Sequence, residues 1–457
     1  MTSNEIMISG ASPCSGSIQI SGAKNATLPL MAACLLTDKQ VVLENVPKIS
    51  DIDKMKTQLE SYGVKVIERG SRRVLQATSV KTEFSPTSSD DSNTRGSFLV
   101  LGPLLARLKA AKVRHPGGCQ ISKGGRPVNY HIEALREMGA TLESDRKCIK
   151  LKANLGLHGT KIDSKMSVGT TENVIMAACL ADGQTVITNA AVEPEIIDLI
   201  KMLNAMGMNG NIGVNEHENK IVINGRSGTL LNGCTHTVIP DRIEAGTWAI
   251  AAAITGGSLL LKMNSDIGQR IMVPTLEMLK KAGVDVEWKR NGLQVQRLGQ
   301  IKPVSITTGP FPKFPTDLLP QWVTFMTKAN GSSRLKDTIY DNRFSHVPHL
   351  ETMGASFTKL SDTEYQVDGN ANLRGNRVEA TDLRAGVALI LAGLAAEGTT
   401  VVRQFQHVLR GYEDIKEKLG CWGVQFQNLP QTRQGFHGGN RRQVRQEGPV
   451  QHDRKRR

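Results

Sequence analysis

The sequence lacks any long hydrophobic run. Its longest uninterrupted apolar stretches, residues 28–36 and 388–396, fall far short of the roughly 18 to 20 residues that a membrane-spanning helix needs. Residues 1–16 also lack the basic start and apolar middle of a secretory signal peptide. We therefore expect a cytoplasmic protein that has no membrane span.

The cysteines do not suggest a disulfide framework. There are seven, an odd number, and Cys34 and Cys179 lie inside apolar, alanine-rich segments. A thiol in such a segment usually packs as a small hydrophobic side chain. We expect the cysteines to be free, as in most cytoplasmic proteins.

Acidic residues are too few to balance the basic ones, and the net charge is +14. Residues 431–457 hold seven Arg and one Lys against Glu447 and Asp453, which accounts for +6 and leaves +8 on the other 430 residues. That surplus suits an anionic substrate, but it is too diffuse to identify a nucleic-acid surface. We expect no nucleic-acid partner, and we interpret residues 429–457, which are poor in aliphatic side chains, as a disordered basic tail.

A short pattern recurs six times along the rest of the chain. It reads LESYGVKV, LREMGATL, LNAMGMNG, LKKAGVDV, LETMGASF and LGCWGVQF, and its glycines are 76, 68, 76, 71 and 69 residues apart. Each copy indicates a helix that ends on a left-handed glycine and is followed at once by a strand. The chain is therefore predicted to consist of six α/β repeats of about 70 residues.

Each repeat also contains a second helix that is apolar on nearly every side, most clearly in the segments LMAACLL, IMAACL, WAIAAAI and LILAGLAA. A helix of this kind must be buried, so we expect sheets wrapped around buried helices in two domains of three repeats each. A doubly wound sheet would instead have fully apolar strands and amphipathic helices. We place one domain at residues 22–239 and the other at residues 1–21 together with 240–428.

Residues 115–131, HPGGCQISKGGRPVNYH, place Cys119 in a glycine-rich loop. Lys123 and Arg126 add positive charge, and Pro127 followed by Ile132 and its helically spaced partners predicts that the loop leads into a helix. Backbone N–H groups and the positive end of a helix dipole would favour a bound phosphate or carboxylate and a Cys119 thiolate. Most lone cysteines are buried, but the small and polar neighbours of Cys119 favour exposure.

Other charged residues stand at the entries of apolar helices or on glycine-rich turns. Taken singly, each is more often a helix cap or a surface ion pair than a site residue. Because they recur at equivalent points of a repeat, they could converge on one cleft. They are Lys24 with the neighbouring Asn25, Arg95, Asp317, Arg343, Asp382, Arg384 and Arg410.

From about residue 16 to residue 427 the chain resembles the enolpyruvyl transferases. The motifs SGAKNATLP, PGGC followed by RPV, KMSVG, IPDRIEAGT, FPTD, NRF with HVP, ATDLRA and RGYE all occur in the family's order. They are most similar to the branch of the family whose acceptor is UDP-N-acetylglucosamine. The resemblance implies an inside-out α/β barrel in two domains, with the active site in the cleft between them.

The resemblance also implies a reaction. The enolpyruvyl group of phosphoenolpyruvate passes to the 3-hydroxyl of UDP-N-acetylglucosamine, and phosphate is released, as the first committed step of peptidoglycan precursor synthesis. No metal or organic cofactor is implied, and we expect a monomer. In this family the epoxide fosfomycin, which mimics phosphoenolpyruvate, alkylates the cysteine that Cys119 matches.

Site residues carry over position by position. Cys119 matches the reactive cysteine and proton donor, Asp317 is our candidate base for the acceptor hydroxyl, and Lys24 and Arg410 complete the implied catalytic set. The implied substrate contacts are Lys24, Asn25, Arg95, Arg126, Pro127, Val128, Asn129, Tyr130, Lys165, Met166, Ser167, Val168, Asp317, Ile339, Arg343, Asp382, Arg384 and Arg410.

Two features depart from the family pattern. The segment from Cys119 to Arg126 is two residues longer than in the family, and Asn129 stands where the family has an aspartate. A sister reaction with another acceptor, such as a nucleoside monophosphate, therefore stays open. Shikimate 3-phosphate ranks lower, because enzymes acting on it lack the cysteine loop.

Overall fold

The computed structural model describes residues 5–10, 12–83, 95–114, 128–144, 148–420, 422 and 424. The side chains of Arg95, Ser97 and Ser144 are not described. Cys119, Arg126 and Pro127 lie outside the described residues, as does the basic tail from residue 429 onward.

The secondary structure alternates between helices and short strands throughout. Up to residue 114 the elements are β1 (Glu5–Ser9), β2 (Ser15–Gln19), α1 (Lys24–Ala33), β3 (Gln40–Glu44), α2 (Ser50–Ser61), β4 (Lys65–Arg69), β5 (Arg72–Gln76), α3 (Leu101–Leu108) and β6 (Ala110–Arg114). From residue 128 to residue 239 they are α4 (Asn129–Glu137), β7 (Thr141–Ser144), β8 (Cys148–Lys152), β9 (Lys161–Asp163), α5 (Val168–Leu180), β10 (Gln184–Thr188), α6 (Pro194–Leu203), β11 (Ile212–Asn215), β12 (Lys220–Asn224) and β13 (Cys234–Thr237).

The second half of the chain continues the alternation. Its elements are α7 (Arg242–Thr255), β14 (Ser258–Lys262), α8 (Ser265–Ile271), α9 (Val273–Lys281), β15 (Val284–Lys289), β16 (Gly292–Arg297), β17 (Ile306–Thr307), α10 (Leu319–Met326), β18 (Ser333–Lys336), α11 (Val347–Thr352), β19 (Phe357–Ser361), β20 (Glu364–Val367), β21 (Arg377–Glu379), α12 (Leu383–Ala395), β22 (Thr399–Arg403) and α13 (Ile415–Gly420).

The predicted helix-to-strand corners are present. Gly63, Gly139, Gly207, Gly283 and Gly354 all have positive φ, between 85° and 107°. Glycine adopts such angles without the steric cost that a Cβ atom brings. The prediction of left-handed helix ends is thus confirmed at five repeats, and the sixth glycine, Gly423, lies outside the described residues.

Each repeat contributes one small sheet, so the described residues contain six sheets of three or four strands. Their strand orders are β13-β3-β5-β4, β6-β8-β7, β9-β10-β12-β11, β2-β14-β16-β15, β17-β18-β20-β19 and β21-β22-β1. The apolar helices between them are buried as predicted: every residue from Ile243 to Ile254 in α7 and from Leu383 to Leu394 in α12 is buried. Sheets around buried helices confirm the predicted α/β fold class.

The two strands that precede α1 pair with the second half of the chain, whereas the strand that precedes α7 stays with the first half; β1 pairs with β22. β2, which precedes α1, pairs in parallel with β14, whereas β13, which precedes α7, pairs in parallel with β3. The chain therefore crosses from the second half to the first near residue 22 and back again near residue 240. These two crossings lie side by side. The Ala23 N–H donates to the Ile239 carbonyl at 2.8 Å, and the Asp241 N–H donates to the Ser21 carbonyl at 2.8 Å.

The buried apolar side chains form two clusters. One contains residues between Ala23 and Ile239, and the other combines Ile6, Ile8, Cys14, Ile18 and Ile20 with residues from Ile243 to Val424. The sequence passes from one cluster to the other at the two crossings, between Ile20 and Ala23 and between Ile239 and Ile243. No helix in the described part of the chain is long and apolar enough to span a membrane.

Candidate active site

Four buried helices direct their N-terminal ends to one region. Lys24 is the first residue of α1, Asp241 caps α7, Asp317 lies in the turn that precedes α10, and Asp382 caps α12. The Lys24 N–H donates to the Asp241 carboxylate at 3.2 Å, which joins the starts of α1 and α7. The positive ends of the helix dipoles, with the orphan N–H groups of the first turns, favour negative charge in this region.

Asp51, at the start of α2, holds two cations that come from different halves of the chain. Its Oδ2 lies 3.4 Å from Lys24 Nζ, and its Oδ1 accepts from Arg410 Nε at 3.0 Å. Burial raises the pKa of the Asp51 carboxyl, but the charges of Lys24 and Arg410 outweigh this, and the pKa is lowered overall. The carboxylate is therefore charged and bridges the halves.

Asp317 forms the second centre. Its Oδ2 accepts from Arg384 Nη2 at 2.7 Å, and its Oδ1 accepts from Arg343 Nη2 at 3.0 Å. Both arginine side chains are almost fully buried, at 7% and 3% exposure, whereas the Asp317 side chain is 23% exposed. Burial opposes the charge on Arg384, but the attraction of Asp317 outweighs it and the pKa of the guanidinium is raised.

The two centres form one site, because their charges act on Lys24 together. Burial lowers the pKa of the Lys24 ammonium, Asp51 and Asp317 raise it, and Arg384 and Arg410 lower it further. In each centre two cations share one carboxylate. Such an arrangement leaves positive charge available for a substrate that carries phosphate and carboxylate groups.

The Tyr412 hydroxyl helps to hold the Arg384 side chain in place. Its buried hydroxyl is 2.9 Å from Thr247 Oγ1 in α7 and accepts from Arg384 Nη1 at 3.5 Å, and Gln321 Nε2 in α10 donates to it at 3.4 Å. The hydroxyl thus joins three buried helices close to their N-terminal ends. A guanidinium held in this way pays little additional conformational entropy when it binds an anion.

A second group of predicted residues lies together elsewhere in the first half. Val128 caps α4, with Asn129 and Tyr130 exposed at its first turn, and Ser167 caps α5 through its side chain. Lys165 and Met166 have positive φ, and Lys165 Nζ lies 2.6 Å from Asp163 Oδ2. The hydrogen bond to Asp163 raises the pKa of Lys165. The His131 ring in α4 lies 2.8 Å from Asn173 Nδ2 in α5, so the two helices pack together, with Tyr130 and Lys165 exposed near their starts.

Comparison with known proteins identifies the family. Residues 8–419 match the family described as EPSP synthase (3-phosphoshikimate 1-carboxyvinyltransferase). The chain belongs to this enolpyruvyl transferase family. It is 45% identical over 440 residues to the UDP-N-acetylglucosamine 1-carboxyvinyltransferase of Rhizobium leguminosarum bv. trifolii, a match that covers 93% of this chain and 99% of the relative. The enzyme of that name from Xanthobacter autotrophicus is 42% identical over 447 residues, with the same coverage of both chains.

Solved structures show the enolpyruvyl transferase fold. The enolpyruvyl transferase NikO from Streptomyces tendae superposes with a TM-score of 0.83 at 24% identity, over 93% of this chain and 98% of that one. EPSP synthase from Acinetobacter baumannii gives a TM-score of 0.70 at 19% identity, over 93% and 99%. The predicted membership of this family and the predicted fold are both confirmed.

The remaining predicted site residues of this enolpyruvyl transferase lie in several places. Asn25 is partly exposed beside Lys24, and Ile339 is 39% exposed in the loop after β18. Asp382 caps α12 by accepting from the Arg384 and Ala385 N–H groups at 2.8 and 3.1 Å, and its Oδ2 accepts from the Ser345 hydroxyl at 3.2 Å. Arg95 opens the turn before α3.

Sequence reasoning missed Asp51, Thr316, Asp337 and Tyr412. Asp51 looks like an ordinary first-turn acid of an amphipathic helix, and Asp337 has no local pattern that separates it from a turn residue. Thr316 and Tyr412 lie inside the FPTD and RGYE motifs, and that position is the signal that could have been used. No group of three or more His, Cys, Asp or Glu side chains in the described ranges is placed to hold a metal ion.

Proposed function

We propose that the protein transfers the enolpyruvyl group of phosphoenolpyruvate to the 3-hydroxyl of UDP-N-acetylglucosamine and releases phosphate. The observation that carries this proposal is the match, at 42–45% identity and nearly full length, to enzymes named for that acceptor. The charged site supports it independently, since the donor substrate is a compact anion with phosphate and carboxylate groups. The proposal places the enzyme in the cytoplasm, in peptidoglycan precursor synthesis.

Lys24, Arg384 and Arg410 are the groups proposed to bind phosphoenolpyruvate. Lys24 starts a buried helix, and all three cations lie close enough to influence one another's charge. Stabilisation of developing charge by groups that are already oriented is usually the largest contribution to catalysis. Arg343 would complete the set from the far side of Asp317.

The chemistry requires a proton at C3 of phosphoenolpyruvate and the loss of a proton from the acceptor hydroxyl. Protonation makes C2 electrophilic, the hydroxyl oxygen bonds to C2, and a tetrahedral ketal forms. The ketal then loses phosphate from C2 and a proton from C3, which restores the vinyl group in the product. We assign the first proton to Cys119, which lies outside the described residues.

Asp317 is the proposed base for the acceptor hydroxyl. Its carboxylate is partly exposed and oriented by two arginines, which suits a group that must meet substrate in one geometry. A substrate anion that draws Arg384 toward itself would leave Asp317 Oδ2 more available to accept a proton. Substrate binding and base activation would then be coupled through one guanidinium.

The exposed surface at the starts of α4 and α5 is the proposed site for the nucleotide sugar. Val128, Asn129, Tyr130 and residues 165–168 border it in the first half, while Ile339 and Asp317 would contact the sugar from the second. These groups come from both halves of the chain. We therefore propose that the halves form two domains, residues 22–239 and residues 1–21 with 240–428, and that these domains close on the nucleotide sugar.

The test is phosphate release from phosphoenolpyruvate with one acceptor at a time. We expect release with UDP-N-acetylglucosamine and none above background with shikimate 3-phosphate or a nucleoside monophosphate. Asp317→Asn should abolish most of the activity while the protein still binds the nucleotide sugar. Release that depends on another acceptor would overturn the assignment.

A further inference from the structure

We propose that Asp337 is a positioning residue that holds Arg343 against Asp317. Asp337 follows β18, its side chain is buried at 1% exposure, and the family resemblance gives it no role. It acts on Arg343 by two separate routes, one through a hydroxyl and one through the backbone. The proposal depends on the proposed function only because it makes Asp317 and Arg343 part of the reacting site.

The first route runs through Thr316. The Thr316 hydroxyl donates to Asp337 Oδ2 at 2.5 Å. The oxygen of that hydroxyl, Thr316 Oγ1, accepts from Arg343 Nε at 3.0 Å. A hydroxyl has a single proton, so donation to Asp337 leaves only lone pairs facing Arg343. The negative charge of Asp337 also polarises the hydroxyl and makes it a better acceptor.

The second route runs through the loop after β18. Asp337 Oδ1 accepts from the backbone N–H groups of Ile339 and Tyr340, at 2.6 and 2.7 Å. These bonds hold the backbone that carries Tyr340, and the centroid of its ring lies 4.7 Å from the Arg343 guanidinium carbon. A cation over an aromatic face is attracted to it, so the ring helps to set the plane of the guanidinium.

Both routes act on the orientation of the Arg343 guanidinium. With Nε held by Thr316 and one face held by Tyr340, Arg343 presents Nη2 to Asp317 Oδ1 at 3.0 Å. Asp337 also fixes the N–H of Ile339, which is proposed to contact the nucleotide sugar. One buried carboxylate thus orients the arginine beside the proposed base and one wall of the acceptor site.

The substitution Asp337→Asn separates this role from simple packing, because asparagine has the same shape. Its Oδ1 can still accept from the two backbone N–H groups, but its Nδ2 would face Thr316 Oγ1 as a donor. The hydroxyl would then receive two donors and bond less well to Arg343. Since a hydrogen bond to a charged group contributes about 1.5–3 kcal/mol, we expect kcat/KM to fall about 10- to 100-fold.

Two comparisons make the test specific. Thr316→Ser keeps the hydroxyl and should retain activity, whereas Thr316→Val should lose about as much activity as Asp337→Asn. In an Arg343→Lys background, which lacks Nε at that position, Asp337→Asn should cause little additional loss. A residue that acts only on stability would instead give additive losses.

Asp368→Asn is the matched control. Asp368 follows β20 in the same sheet and accepts from the Ser356 hydroxyl and from Gln366 Nε2, and none of its hydrogen bonds described here reaches the site. We expect it to change thermal stability without changing kcat/KM. Normal kcat/KM in Asp337→Asn, or additive losses with Arg343→Lys, would refute the proposal; an inactive wild-type enzyme would refute the proposed function instead.

Discussion

Replacing Asp51 by Asn should damage the site in a predictable way. The two side chains have the same shape, so the change removes one negative charge and little else. That charge lies 3.4 Å from Lys24 Nζ and 3.0 Å from Arg410 Nε, on a side chain that is only 6% exposed. Two neighbouring cations would lose their shared counter-ion.

The size of the effect follows from these distances. A pair of unit charges about 3.4 Å apart attracts by roughly 5 kcal/mol at an effective dielectric constant of about 20. Removing one partner of a buried ion pair usually costs about 3–5 kcal/mol of stability. Lys24 and Arg410 are 13% and 22% exposed, so water offsets part of the loss. We expect Asp51→Asn to lower the free energy of unfolding by about 3 kcal/mol.

The change should also move the pH dependence of activity. Burial already lowers the pKa of Lys24, and Asp51 is the strongest group that raises it. Without Asp51 the ammonium loses its proton at lower pH, and a neutral amine binds phosphoenolpyruvate less well. The alkaline limb of kcat/KM for phosphoenolpyruvate should therefore shift to lower pH.

Urea unfolding and pH–rate profiles of both proteins test this. Asp362→Asn is the control, because Asp362 pairs with Lys359 on the surface with both side chains more than half exposed, and such pairs contribute about 0–1 kcal/mol. If Asp51→Asn unfolds at the wild-type urea concentration and keeps the wild-type alkaline limb, the electrostatic account of the site is wrong.

Three further predictions follow from other parts of the molecule. His346 is fully buried, both of its ring nitrogens have no hydrogen-bond partner among the described residues, and burial lowers its pKa to about 4. In the unfolded chain the imidazole takes up a proton near pH 6.5, so the stability due to neutral His346 is complete above about pH 6.5, and about 3 kcal/mol of it is lost as the pH falls toward 4. In urea unfolding, His346→Gln should lack that loss. Parallel pH dependences of the two proteins would contradict the prediction. Cys119 should be the cysteine that fosfomycin alkylates, because burial raises the pKa of Cys34 and Cys179 to about 12, whereas the glycine-rich sequence around Cys119 contains two cations that favour thiolate. Peptide mapping that finds the label elsewhere would refute this. Saturating UDP-N-acetylglucosamine should reduce the radius of gyration in small-angle scattering if the two domains close, and an unchanged value would count against closure.

Local patterns made much of the fold predictable. A helix that ends on a left-handed glycine depends on residues next to each other in sequence, and all five described examples have the expected backbone angle. Burial of the apolar helices follows equally from local composition. The pairing of β2 with β14 and of β13 with β3 joins residues more than 190 positions apart, which no local pattern encodes.

The site was predictable only where a motif marked it. Lys24, Asp317, Arg384 and Arg410 were predicted from motifs, and the structure places them together in the candidate site. Asp51 was missed because the partner that gives it importance, Arg410, is 359 residues away. Asp337 was missed for a related reason, since its role depends on the path of the chain around Thr316 and Arg343 rather than on its sequence neighbours.

The reaction itself can be followed directly by proton NMR in heavy water, with phosphoenolpyruvate and UDP-N-acetylglucosamine as substrates. Addition at C3 followed by elimination passes through a methyl group, so solvent deuterium should enter the vinyl position. We expect a new enolpyruvyl ether on the sugar 3-oxygen, deuterated at its vinyl carbon, with one phosphate released per product. Unchanged phosphoenolpyruvate, an ether on another acceptor atom, or a product without vinyl deuterium would contradict it.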